Sequence, residues 1–226
     1  MARAEVSNNT ASAVHHYYSA DSSTRAEWEA AAAQFALRAT SPVVIDAACA
    51  MQHALFNETT PPASDSMIAV HIRWGDKIEP VSYLGGKPEM PKVAVVRYVQ
   101  AIEKLCERHR ISAPAILLAT QEAPARAAFM RAAKQHPHWT VHELHAGPLH
   151  NWVQAGIWRN QAGTAEALRA SWLTSLASLL VLLQARHFVL VRGSNWSRLI
   201  DHLRRTRMNA LCSRCTSMVD LSEQDV

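Results

Sequence analysis

The sequence predicts an α/β protein built on a Rossmann-like parallel sheet with helices on both faces. After residue 66, short apolar runs alternate four times with longer segments of helical periodicity, which is the pattern of a doubly wound parallel sheet. The first run, 67–73, leaves no polar face for water, as is typical of a strand buried on both sides. The 226 residues, 49% hydrophobic and 19% charged, suit one sizeable globular domain, or one domain plus a partial second.

The chain before the first strand divides into a tail and a helical lead-in. Residues 1–25 are small and polar, and we expect a loose tail there. Residues 26–66 form the lead-in. An alanine-rich helix is predicted over 26–39 and a second helix over 43–56, and the proline-containing segment 59–66 reads as a linker.

Residues 67–208 contain the four strand–helix units and form the predicted Rossmann-like domain. The apolar spacing of Val93, Val96, Val99 and Ile102 predicts one face of an amphipathic helix. Strands are predicted at 67–73, 115–119, 140–144 and 188–191, and helices at 91–108, 124–135, 164–185 and 196–207. Residues 209–226 are expected to be a C-terminal tail.

The charge pattern favours a small anionic partner over nucleic acid. The net charge is +4, and the cationic residues are scattered apart from Arg204, Arg205 and Arg207. A nucleic-acid binder using the basic helix 198–207 stays as an alternative. No apolar run of 18 residues occurs and the N-terminus lacks a signal-peptide core, so we expect no transmembrane segment. The compartment stays open: the Golgi lumen if an anchor or a further N-terminal domain exists, and otherwise the cytoplasm.

The segment after the first strand carries a cluster of charged side chains. Arg73, Asp76, Lys77 and Glu79 lie within seven residues, at the carboxyl end of a strand where open α/β sheets bind ligands. An arginine and a lysine there can hold a pyrophosphate, and a carboxylate can accept a proton. An ion pair between Arg73 and Asp76, with Glu79 solvated, is the alternative.

A second candidate turn follows the fourth predicted strand. Gly193 and Ser194 precede a predicted helix, and backbone N–H groups at a helix N-terminus together with a hydroxyl form a ready anion site. Ser194 acting only as a helix N-cap is the simpler alternative. If both turns lie at one edge of the sheet, they can grip a single diphosphate.

Three motifs resemble those of a known enzyme family. His71-Ile-Arg-Trp-Gly-Asp-Lys77 resembles the His-x-Arg-Arg-x-Asp-Lys motif of α1,6-fucosyltransferases and nodulation fucosyltransferases. Leu117-Leu-Ala-Thr-Gln-Glu122 is similar to the family's Leu-Ala-Thr-Asp-Asp strand end, and Gly193-Ser-Asn-Trp-Ser-Arg198 to its Ser-Ser-Asn-Phe-Ser-Arg segment. The motifs occur in family order, and the similarity spans about residues 40–208.

The resemblance implies inverting transfer of fucose from GDP-fucose to a glycan hydroxyl, without a metal or other cofactor. It places this chain as the C-terminal, nucleotide-sugar half of a GT-B transferase. The implied roles are Arg73 on the β-phosphate, Asp76 orienting that arginine, Lys77 adding positive potential, His71 near the nucleoside, and Ser194 donating to the phosphate. Glu122, Asn195 and Ser197 are further substrate-contact candidates, and Glu79 is the nearest candidate for the catalytic base.

The chain departs from the family at three places. Trp74 stands where the motif has a second arginine, and Gln121–Glu122 replace two aspartates. No acidic residue lies between Leu168 and Arg186, where the family carries an aspartate that binds guanine. These departures favour an alternative function: a catalytically weak nucleotide-sugar-binding module, or a fragment of the same fold. His71 as a satisfied core histidine also remains open.

Overall fold

A single five-stranded, all-parallel sheet forms the centre of the protein, and its strand order is β3-β2-β1-β4-β5. The computed structural model describes residues 22–37, 40–56, 61–74, 78, 90, 92–145, 165–206 and 216–222. The elements are α1 (Ser22–Leu37), α2 (Pro42–Leu55), β1 (Met67–Ile72), α3 (Val95–His109), β2 (Ala115–Thr120), α4 (Ala123–Ala133), β3 (Thr140–His145), α5 (Ala165–Leu182), β4 (His187–Leu190), α6 (Asn195–Arg204) and β5 (Ser217–Asp220). The predicted α/β fold class is confirmed.

The central strand β1 is buried along its whole length. Its alternate residues Ile68, Val70 and Ile72 belong to the core on one face of the sheet, and Met67 and Ala69 belong to the core on the other. Since successive side chains of a strand point to opposite faces, a strand between two helical layers must be apolar on both. This explains why every residue of β1 except His71 is apolar.

Helices cover the two faces of the sheet in two groups. On one face α3 and α4 bury Tyr98, Ile102 and Phe129. On the other face α2, α5 and α6 pack over the sheet, with core residues that include Leu182 and Leu203, and α1 packs on α6. The chain moves in one direction across the sheet from β1 to β3, and in the opposite direction from β3 to β5. Because crossovers between parallel strands are right-handed, opposite directions place the connecting helices on opposite faces.

The strand order creates a topological switch point beside β1. The chain runs outward from β1 to β2 and β3, and then returns to place β4 against the other side of β1, where Ile68 pairs with His187. The connections that leave the carboxyl ends of β1 and β4 therefore diverge to opposite faces. Ligands of open α/β sheets bind in the crevice that this divergence opens.

The structure differs from the sequence-based expectation mainly at the two ends of the chain. A fifth strand, β5, lies inside the segment 209–226 that was expected to be a tail. β5 is the outermost strand of the sheet and has four residues of intermediate burial. Four residues are too few to show a hydrophobic periodicity in the sequence. The first helix begins at Ser22, inside the predicted loose tail. None of the helices that the structure describes is long and apolar enough to cross a membrane.

Candidate functional site

Arg73 lies at the carboxyl edge of the sheet, directly after β1. Its Nη1 donates to Gln121 Oε1 at 3.2 Å and lies 3.7 Å from Glu122 Oε1. Gln121 and Glu122 directly follow the neighbouring strand β2. Both side chains of the ion pair are largely buried, with 16% of Arg73 and 8% of Glu122 exposed. Glu122 therefore positions the arginine, and its carboxylate offsets part of the arginine's charge.

His71 and Ser197 form a buried hydrogen bond between β1 and the first turn of α6. His71 Nδ1 lies 2.7 Å from Ser197 Oγ, and the residues are 6% and 0% exposed. Burial, with a smaller contribution from the Arg73 charge, lowers the pKa of His71 to about 3. His71 is therefore neutral at physiological pH, and the hydrogen bond fixes the first turn of α6 against the end of β1.

The burial of this pair bears on two predicted substrate contacts. Ser197 has no exposed surface, and its hydroxyl is hydrogen-bonded to His71. The geometry of His71 fits the simpler alternative of a satisfied core histidine, since its ring has a protein partner and little exposed surface. The roles of both residues as substrate contacts stay predictions. A period-2 reading of β1 could have placed His71 on the α6 face, but no local pattern points to Ser197 as its partner.

The turn after β4 brings Gly193, Ser194 and Asn195 to the same edge of the sheet. Ser194 is the N-cap residue of α6, yet its side chain makes no capping hydrogen bond. Its backbone N–H donates to Val191 O at 3.0 Å. Asn195 is exposed, and its Oδ1 accepts a hydrogen bond from Arg198. The capping function proposed as the simpler alternative for Ser194 is therefore absent from this turn.

An ion cluster around Asp201 secures α6 and was missed by the sequence analysis. Asp201 is 1% exposed, and its carboxylate lies 2.6 Å from Arg204, 3.0 Å from Arg205 and 3.4 Å from Arg192. Burial lowers the pKa of Arg204, against the opposing attraction of Asp201. The available signal was an acid followed by arginines three and four residues later. Because Arg204 and Arg205 are bound to Asp201, the cluster counts against the nucleic-acid alternative.

Trp74, which occupies the position of the motif's second arginine, packs into the core. It is 8% exposed and belongs to the cluster on the α3 face. Its indole N–H donates to Val93 O at 3.1 Å, and the Lys92 ammonium lies 4.2 Å from the ring centroid. Trp74 therefore ties the segment before α3 to the end of β1.

The remaining predicted site residues fall outside the part of the chain that the structure describes. These are Asp76, Lys77 and Glu79. Among the described residues, no group of three or more His, Cys, Asp or Glu side chains is arranged to hold a metal ion.

The three motif segments contact one another although they are far apart in the sequence. Arg73 of the first motif binds Gln121 of the second, 48 residues away. His71 of the first motif binds Ser197 of the third, 126 residues away. The chain matches no protein-family model and no curated protein. The motifs and their convergence at one edge of the sheet are therefore the features that point to a function.

Proposed function

We propose that this chain is the nucleotide-sugar-binding domain of a fucosyltransferase-like glycosyltransferase, which transfers fucose from GDP-fucose with inversion to a glycan hydroxyl. The observation that carries the proposal is the convergence of all three motifs at the switch point. Arg73 meets Gln121 and Glu122 there, and His71 meets Ser197. Open α/β sheets bind nucleotides at this place.

The chemistry of transfer requires positive charge and N–H donors at this edge. Breaking the sugar–phosphate bond builds negative charge on the departing diphosphate, and preorganised donors stabilise it. Arg73 supplies a planar fork that stays charged at any working pH, and Gln121 holds that fork in place. The first turn of α6 adds backbone N–H groups that the Ser194 hydroxyl does not cap.

The acceptor half of the reaction depends on residues beyond the described part of the chain. Asp76 and Lys77 are proposed to complete the phosphate site, and Glu79 to take the proton from the acceptor hydroxyl. These three roles rest on the charged residues of this segment and on the resemblance.

A binding module with slow or no transfer is the second candidate, and two observations favour it. The Glu122 carboxylate beside Arg73 reduces the positive potential available to a diphosphate. Trp74 contributes an apolar ring to the core where the family motif has an arginine. Both differences weaken stabilisation of the leaving group more than they weaken the fold.

Calorimetric titration with GDP, GDP-fucose and UDP tests the binding step. We expect GDP to bind, and Arg73→Ala to weaken binding about 10- to 100-fold, since a hydrogen bond to a charged group contributes about 1.5–3 kcal/mol. Arg108→Ala is the matched control, because Arg108 is an exposed arginine in the last turn of α3. Failure of all three nucleotides to bind would contradict both candidate functions.

An activity measurement separates the enzyme from the module. If the chain or its complete protein releases GDP from GDP-fucose, we expect Arg73→Ala to reduce the rate about 10²- to 10³-fold. GDP binding without any hydrolysis or transfer would support the module instead.

A further inference from the structure

We propose that Lys92 takes the place of the second arginine of the family motif, whose position Trp74 occupies. Lys92 and Arg73 then bind the diphosphate together. The inference rests on the proposed function, and it assigns a binding residue that the motifs do not contain. It derives from the position of the segment that precedes α3.

Trp74 anchors one end of that segment. Its indole N–H donates to Val93 O at 3.1 Å. Because Trp74 is buried and directly follows Arg73, residues 92–94 are held against the carboxyl end of β1.

Met90, two residues before Lys92, lies next to Gly193 in the turn after β4. A Cβ atom added at Gly193 would lie 3.2 Å from the Cβ of Met90, which is a tighter approach than ordinary van der Waals contact. Met90 is itself buried. Met90 therefore lies beside the turn after β4 and Val93 beside the end of β1, and Lys92 directly precedes Val93 in the sequence. Because β1 and β4 are neighbouring strands, we place Lys92 at the switch point between them.

The ring of Trp74 holds the Lys92 ammonium without neutralising it. The ammonium lies 4.2 Å from the ring centroid, which is a cation–π contact. Among the described residues no carboxylate pairs with Lys92, whereas Arg73 faces Glu122. The charge of Lys92 is therefore oriented by the ring and has no carboxylate partner among these residues. The orientation lowers the conformational entropy lost when an anion binds.

Titrating the full chain with inorganic pyrophosphate and with GDP tests this inference. We expect Lys92→Ala to weaken pyrophosphate binding about 5- to 20-fold and to reduce its salt dependence, since one fewer charge contacts the anion. The control is Lys104→Ala, which removes an exposed lysine from the middle of α3 and should change affinity less than about 2-fold.

Variants at Trp74 test separately whether its indole ring positions the Lys92 ammonium. Trp74→Phe keeps an aromatic ring under the ammonium and should retain most of the affinity, and Trp74→Leu should lose part of it. Because Trp74 is buried, a thermal unfolding curve accompanies both variants. Lys92 is exposed, so its variant keeps the inference testable even if the Trp74 variants do not fold.

The outcomes distinguish the inference from the function on which it rests. If Arg73→Ala abolishes pyrophosphate binding while Lys92→Ala behaves like Lys104→Ala, the inference is overturned and the proposed function stands. If the unsubstituted chain binds neither pyrophosphate nor GDP, the proposed function fails and the inference fails with it. A loss specific to Lys92→Ala supports both.

Discussion

Two histidine–serine pairs occur at opposite edges of the sheet, and the histidine of each pair is buried. At the carboxyl edge, His71 Nδ1 lies 2.7 Å from Ser197 Oγ. At the amino edge, His187 Nδ1 lies 2.7 Å from Ser217 Oγ. Burial lowers the pKa of both rings, to about 3 for His71 and about 4 for His187. The same local chemistry is thus used twice in one sheet.

The two pairs differ in what surrounds them. His187 also uses its second nitrogen, since Nε2 lies 3.2 Å from the Asp65 carbonyl, and it joins the first residues of the neighbouring strands β4 and β5. His71 joins a strand to the first turn of a helix, and the charge that helps to lower its pKa is that of Arg73. The amino-edge pair stabilises the sheet, and the carboxyl-edge pair sets the geometry of the candidate site.

The largest expected effect comes from removing the ion cluster that supports the carboxyl edge. Asp201→Ala leaves Arg204, Arg205 and Arg192 without their shared carboxylate, and we expect the free energy of unfolding to fall by about 3–5 kcal/mol. Urea denaturation measures the loss. Hydrogen exchange should increase more in α6 than in β1 and β2. A loss below about 1 kcal/mol would show that water replaces the carboxylate.

Acidification should distinguish the two histidines by the pH range over which each loses its contribution to the free energy of unfolding. Both pKa values are lowered in the folded state, so each ring contributes full stability above about pH 6.5 and loses it as the pH falls. The loss extends to about pH 4 for His187 and to about pH 3 for His71. Since one pKa unit corresponds to about 1.4 kcal/mol, each loss is on the order of a few kcal/mol.

Urea denaturation of His71→Gln and His187→Gln between pH 3 and 7 checks this expectation. Each variant should flatten the pH dependence of the unfolding free energy over its own range. Subtracting the unsubstituted protein at each pH removes the contribution of the carboxylates. The assignment is refuted if both variants keep the full slope.

Substituting the serines compares the two pairs directly. Ser197→Ala should cost about 1–3 kcal/mol of stability, because it leaves His71 unpaired in a site closed to water. It should also weaken GDP binding, since it releases the first turn of α6. Ser217→Ala should cost less, since Ser217 is only partly buried and water can replace its hydroxyl. Equal effects of the two variants on GDP affinity would contradict a special role for the carboxyl-edge pair.

The smallest effect is expected at an exposed ion pair of the amino edge. Asp65 Oδ1 lies 2.6 Å from Arg186 Nη1, but 68% of the Asp65 side chain is exposed. Asp65→Ala keeps the carbonyl that His187 contacts, so we expect a loss of at most about 1 kcal/mol. Thermal unfolding measures it. A larger loss would show that the side chain, and not the backbone, organises this edge.

The sequence predicted the framework well because its strongest signals are local. The apolar run of β1 reflects burial against a large core. Val93, Val99 and Ile102 of the face predicted for the helix are buried, but Val96 is 56% exposed. Tyr98 and Leu105 complete the buried face of α3 instead. The two candidate turns, after β1 and after β4, were expected at one edge of the sheet because the carboxyl ends of parallel strands share an edge.

The parts that were missed depend on contacts between distant residues. The Ser197–His71 bond and the Trp74–Val93 bond join side chains whose meeting no local pattern encodes. Strand β5 is held by its pairing with β4 and not by its own composition. The Asp201 cluster combines residues of α6 with Arg192 from the preceding turn, so only its helical half had a sequence signal.

The central position of β1 has a consequence for how the protein folds. Its two partners are β2 and β4, and the bond that closes the carboxyl edge joins residues 126 positions apart. Loop closure over such a distance is entropically costly and slow compared with helix formation. During synthesis the helices on the α3 side can pack first, and the carboxyl edge is completed only after α6 has emerged. We therefore expect a nucleotide that binds this edge to slow unfolding more than it speeds folding, since the edge forms late in folding.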